Sequence, residues 1–266
     1  MHLSVWSLGL LAAIVLFQIV AIPALILKKN DLADVLWGPA FSLSALAAAH
    51  FGLPGGLGTL SERAILLLVA VSIWAVRLFF HVGLRNLSSR AEDVRYNNWR
   101  RAWGKTQVWR SYLQVFILQP LILYVFLTPV LLAIAAPNMP WGWLAWVGIA
   151  IWFFGFVFEA IADEQLRRFK ANSKNKGKLM TQGVWSWSRH PNYFGEVVQW
   201  WGIWLVALEL PYGWATIISP LGVTYLILQV SGVSMLENLM KKRPGFSEYE
   251  KTTSIFFPLP PHRRGV

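Results

Sequence analysis

The sequence predicts an all-α integral membrane protein with seven transmembrane helices, and three observations lead there. Of 266 residues, 56% are hydrophobic and only 14% charged, against about 25% charged in a typical soluble domain. Apolar runs recur at lengths near the roughly 20 residues that cross a bilayer. Basic residues crowd into every second connection between those runs, the pattern that sets membrane orientation.

The runs are Leu3–Leu27, Leu32–Phe51, Ala64–Leu84, Val115–Ala136, Trp141–Ile161, Phe194–Leu210 and Trp214–Val233. No Lys or Arg precedes the first, which therefore lacks the basic start of a signal peptide and reads as a retained helix. The sixth is short and opens on polar residues. The segments Lys28–Asp31, Arg85–Arg110, Asp163–Arg189 and Lys241–Val266 hold 22 of the 24 Lys and Arg residues. The opposite connections hold Arg63 alone. The positive-inside rule then places the N-terminus outside and the C-terminus in the cytoplasm, as in a bacterial inner membrane. The net charge of +11 is accounted for by topology and by attraction to anionic lipid, not by a nucleic-acid partner. Sixteen Trp and sixteen Phe suit contact with lipid and its interface.

The whole chain reads as one membrane domain without internal repeats. The absence of Cys excludes disulfides, thiolate nucleophiles and Cys-ligated zinc, and no metal site is expected. The glycine-rich run Gly52–Gly58 follows no strand and lacks the lysine of a phosphate loop, so it reads as a turn.

Ionisable residues inside spans are costly and are candidates for function. Asp34 opens the second span; Arg77 and His81 lie one turn apart on the third. A structural ion pair between Asp34 and Arg77, and a hydrogen-bonded packing role for His81, are the plain alternatives. At the end of the fifth span Glu159, Asp163, Leu166 and Lys170 share one helical face. Two carboxylates followed by a cation suit a ribose hydroxyl beside a phosphate, or else a solvated helix end. The sixth helix is expected to begin at Pro191, which suits a first helical turn. Its amides and positive dipole end suit a phosphate, with Arg189 and His190 adding charge. Asn192, Glu196 and Gln199 form a polar stripe that lipid cannot face, so it lines a cavity or a helix contact.

The string Arg189-His190-Pro191-Asn192-Tyr193-Phe194-Gly195-Glu196, the seventh-span ending Ser231–Glu237 and the tail Tyr249–Pro258 resemble the steroid 5-alpha-reductase-like superfamily. More narrowly, they resemble its bacterial branch that shares the Arg-His-Pro-Asn-Tyr-Phe-Gly-Glu string. Isoprenylcysteine carboxyl methyltransferases in the same superfamily carry a related Arg-His-Pro-x-Tyr motif, so the motif alone leaves NADPH and S-adenosylmethionine both open. The resemblance implies NADPH contacts at Glu159, Asp163, Lys170, Lys178 and Asn192, and Leu166, Arg189, His190, Tyr193, Glu196 and Glu237 are expected beside them as cofactor-binding residues. It further implies that Trp200 lies nearer the nicotinamide, and that Arg85 and Asn86 resemble polar nicotinamide and pyrophosphate contacts. Where the steroid enzymes polarise the substrate ketone with a Gln-Glu pair and a Tyr, this chain has Leu36-Trp37 and Trp74. Asp34 or His81 is expected to substitute as the catalytic proton donor.

The expected function is therefore NADPH-dependent reduction of an activated C=C bond in a hydrophobic small molecule, at a site facing the cytoplasm. A membrane methyltransferase of the isoprenylcysteine type is the alternative, and a non-enzymatic lipid-binding protein the second. A transporter would show the internal repeats and broken helices that this sequence lacks.

Overall fold

The computed structural model describes residues 4–88 and 92–260; Leu3, Arg90, Arg263 and Arg264, used above, lie outside them. Among these residues the fold is helical, and six helical segments are long and apolar enough to cross a membrane. Each has a plain sequence cause. Helix α1 (Val5–Leu27) is capped by Ser4, whose hydroxyl accepts from the Ser7 amide, satisfying one of the donors a helix start leaves open. It closes at Lys28, whose backbone is left-handed and whose N–H reaches Ala24 O. Helices α2 (Leu32–Gly52) and α3 (Glu62–Ser88) follow. A short helix α4 (Val94–Trp103) and one-turn α5 (Gln107–Ser111) lead through a π-helical turn, Tyr112–Ile117, into α6 (Leu118–Ala135).

Helix α7 (Trp143–Ala171) is followed by α8 (Pro191–Leu208) and α9 (Ile218–Tyr225). A second π-helical turn, Leu226–Ser231, and a break at Gly232 separate α9 from α10 (Val233–Met240), after which comes α11 (Phe246–Thr252). Helix α8 begins with Pro191 as the sequence predicts. It is not among the six apolar segments, because Asn192, Glu196 and Gln199 occupy its first half.

The chain divides into two compact units. The first, Met1–Pro140 with Leu210–Thr216, is built on α1, α2, α3 and α6. Edge-to-face contacts link Phe17, Trp37, Phe41 and Trp74 within it. Arg63 is 1% exposed and donates to Pro140 O at 2.9 Å. The one basic residue of the opposite connections is thus buried against a carbonyl. The second unit, Trp141–Glu209 with Ile217–Val266, is built around the α7–α8 pair.

Candidate functional site

Helices α7 and α8 run antiparallel at a distance only glycine permits. A Cβ on Gly155 would lie 2.6 Å from Gly195 O, and one on Gly202 would lie 2.6 Å from Trp152 N. Gly148 meets Gly202 O, and Gly195 meets Glu159 N, each at 2.7 Å. In each helix the two glycines are seven residues apart and so fall on one face. Lipid offers no hydrophobic drive between helices, so close backbone packing of this kind supplies the association.

This approach brings the two predicted polar stripes against each other. Gln199 Nε2 donates to Glu159 Oε2 at 2.6 Å, and Asn192 Nδ2 donates to Asp163 Oδ1 at 3.1 Å. Glu159 and Asp163 are 3% and 6% exposed. Gln199 is itself buried, and its Oε1 has no hydrogen-bond partner among the described residues. On the same two helices Trp200 is buried, Leu166, Tyr193 and Glu196 are half-buried, and Lys170 is exposed. Lys178, in the connection between them, is exposed as well.

The two helix starts are treated differently. The Glu209 carboxylate, just past α8, accepts from the Gly142, Leu144 and Ala145 amides at 2.9, 3.0 and 3.4 Å. It therefore closes the N-terminus of α7. At the start of α8 the N-cap residue His190 makes no side-chain cap hydrogen bond, and its own amide donates to Ser188 Oγ at 3.1 Å.

Arg189 and His190 belong to a latch that holds the approach to α8. Arg189 Nε and Nη2 donate to the Glu237 carboxylate at 3.0 and 2.7 Å. Its Nη1 donates to Thr253 O at 2.8 Å and Glu250 O at 3.1 Å. His190 Nε2 lies 2.9 Å from Glu237 Oε1, and its ring stacks on Tyr193 at 5.8 Å. Burial pushes the His190 imidazole below its ordinary pKa; Glu237 opposes this and Arg189 adds to it. The neutral ring then donates its Nε2–H to Glu237.

The tail completes the latch. Arg189 N–H reaches Ser254 O at 2.8 Å, Ser188 Oγ donates to Phe256 O at 2.8 Å, and the Tyr249 hydroxyl donates to Trp185 O at 2.6 Å. Burial pushes the Tyr249 phenol up, so it stays a donor. Trp185 Nε1 in turn donates to Ala162 O at 3.0 Å, which ties the whole assembly to α7. Arg189, His190 and Glu237, expected as ligands, are thus placed where they fix the loop and tail.

In the first unit Asp34 makes its ion pair with Arg95 on α4, not with Arg77. Arg95 Nη2 and the Tyr96 hydroxyl each donate to it at 2.6 Å. Asp93 binds Arg95 as well, at 3.0 Å through Nε, and its amide donates to Asp31 Oδ2. Burial alone would push the Asp93 carboxyl up, but Arg95 outweighs it and holds the group below the usual carboxylate range. His81 is half-buried, Arg85 exposed and Asn86 half-buried on α3.

Residues 20–253 match the model of a family described as "Protein of unknown function (DUF1295)", a family of the steroid 5-alpha-reductase-like group. An uncharacterized protein of the yeast Schizosaccharomyces pombe, C594.04c, is 28% identical over 282 residues, covering 94% of this chain and 78% of its own length. No solved structure matches the chain.

Proposed function

The chain belongs to the DUF1295 family, and from that premise we propose that it is a multi-pass membrane reductase that uses NADPH on an activated C=C bond of a lipid-soluble substrate. One observation carries the proposal. Two carboxylates, Glu159 and Asp163, lie at the same end of the α7–α8 pair as the N-terminus of α8, whose N-cap His190 makes no side-chain cap hydrogen bond.

The residues present fit a nucleotide there. Glu159 and Asp163 are acceptors of the kind that ribose hydroxyls suit, and the buried Gln199 Oε1 offers an acceptor that a ligand O–H or N–H would satisfy. The first amides of α8 suit a phosphate. The exposed Lys170 and Lys178 suit the extra phosphate that separates NADPH from NADH. Arg189, His190 and Glu237 act as positioning residues that hold this helix start in place.

When bound, the cofactor supplies a hydride to the β carbon of the substrate's double bond. The carbonyl oxygen conjugated to that bond gains charge as this occurs, so a donor placed there lowers the barrier. Both oxygens of Asp34 accept hydrogen bonds within the first unit. Helix α8 packs along the apolar length of α7, which supports it as a seventh span. With the basic connections, that count puts the N-terminus outside and the nucleotide end in the cytoplasm.

The test is titration calorimetry of the detergent-solubilised protein with NADPH, NADH and S-adenosylmethionine. NADPH is expected to bind about ten-fold or more tighter than NADH, the worth of one good charge-assisted hydrogen bond. Binding of S-adenosylmethionine without binding of either nicotinamide would replace the reductase with the methyltransferase.

A further inference from the structure

Within the first unit, the elbow formed by α4 and α5 carries a surface that its own fold leaves uncovered. Every acidic group near it is turned inward. Asp34 and Asp93 take Arg95, Glu92 takes Arg100 at 2.7 Å, and Asp31 takes the Asp93 amide. Glu92 also accepts from the Asn30 amide at 2.8 Å, and Asn30 donates to Ser111 at 2.9 Å. These bonds fasten the elbow to the α1–α2 turn and engage all four of these acids and two of the arginines.

What remains outside is of one kind. Arg101, Lys105 and Arg110 are exposed, and so are Trp99, Val108 and Trp109. The aromatic rings are ordered in pairs, Trp99 stacked on Trp103 at 5.9 Å and Trp109 on Tyr112 at 6.4 Å. The chain turns sharply between the pairs at Gly104, whose φ of +51° favours glycine. Trp109 lies nine residues before the start of α6, in the helical run Val94–Ala135 that holds an apolar stretch long enough to cross the bilayer. At about 1.5 Å per helical residue, that places it at headgroup depth, where tryptophan rings settle.

We propose that the α4–α5 elbow is a docking surface for anionic phospholipid headgroups, with Trp99, Trp103 and Trp109 at the bilayer interface and Lys105 and Arg110 on lipid phosphates. Charge complementarity selects the lipid: the exposed face offers cations and aromatic rings, while the neighbouring carboxylates are already bound within the unit. Continuity with α6 selects the bilayer over a soluble acidic partner, because a spanning α6 holds the elbow beside the headgroups.

The chain has no cysteine, so Val108→Cys carries a single spin label at an exposed position. Full-length protein is reconstituted in vesicles containing phosphatidylglycerol or in phosphatidylcholine alone. In the anionic vesicles the label should be open to oxygen and shielded from a water-soluble nickel chelate; in phosphatidylcholine the shielding should fall. Each cation contributes about five-fold near an anionic surface, so Lys105→Glu with Arg110→Glu should reduce the inserted fraction more than ten-fold. Lys105→Arg with Arg110→Lys should preserve it. If the reversed variant does not fold, raising the salt on the unreversed protein is the second measurement, and insertion should fall because salt screens exposed charges. A label equally inserted in both lipids, water-exposed in both, or indifferent to salt and to charge reversal would overturn the proposal. So would a soluble acidic protein that binds these residues in detergent and leaves the label water-exposed in anionic vesicles.

Discussion

The two ends of the α7–α8 pair start from the same physical situation and resolve it in opposite ways. Each end carries a helix N-terminus with unsatisfied amides and a positive dipole end. At the start of α7, Glu209 answers both with one carboxylate. At the start of α8 the N-cap His190 makes no such bond with its side chain, and the nearest acid, Asp163, takes the Asn192 side chain instead. The difference teaches where to look for a ligand: a helix start stabilised by its own chain has no need of an anion, and one left open beside polar side chains does.

The open end depends on the latch, and breaking the latch should have the largest effect. Arg189→Met leaves Glu237 buried without its guanidinium, a loss of roughly 3–5 kcal/mol for a broken buried pair. Replacing both residues by Met should recover much of that stability in the same melting assay, since the uncompensated charge goes with the arginine. Next in size is the helix contact shared by both ends. Gly195→Ala drives a methyl to within 2.7 Å of Glu159 N, and overpacking of this kind costs about 1–3 kcal/mol. An unchanged melting temperature for that variant would mean the two helices stand further apart than described.

A smaller effect separates the ends by pH. The unfolded chain's His190 takes up a proton below about 6.5, while the folded, buried ring resists it. The stability this contributes is present in full above that value. It declines as pH falls from there through the depressed folded pKa, because the unfolded state then binds more protons. Melting between pH 7.5 and 5 should show the decline, and His190→Gln should flatten it. Topology sharpens the comparison without an energy. A reporter inserted between Gly55 and Gly56 should read external and one fused to the C-terminus cytoplasmic; both on one side would reject seven spans.

Much of this was legible in the sequence, for physical reasons. The apolar runs show because lipid demands unbroken hydrophobic length, and the start of α8 shows because proline suits a first helical turn. The stripe of Glu159 and Asp163 and that of Asn192 and Gln199 show because each repeats at helical spacing. Their mutual pairing did not, although glycines seven apart at 148 and 155, and again at 195 and 202, carried the signal. The partners of Arg189 and His190 were hidden because Glu237 follows some 48 residues later and reaches them only through the fold. Charges beside a helix start look like ligand contacts until a carboxylate is found to occupy them. Glu209 escaped notice for the same reason, since its partners are backbone amides 64 to 67 residues away. A pairing of Asp34 with Arg77 on the adjacent span is the plain alternative the sequence offers, whereas an arginine that pairs with it arrives from α4.

The most direct measurement compares Asn192→Ala with Glu209→Ala, recording melting temperature and NADPH affinity on the same preparations. Glu209→Ala removes a cap from the closed end and should lower stability by about 0.5–2 kcal/mol, with NADPH affinity unchanged. Asn192→Ala, at the open end, should weaken NADPH binding by roughly 1–3 kcal/mol, the cost of an unsatisfied buried partner, while the protein stays folded and monodisperse. If Asn192→Ala instead lowers the melting temperature and leaves the affinity of the surviving protein intact, the polar pairs only tie helices together. The nucleotide site would then not lie at the start of α8.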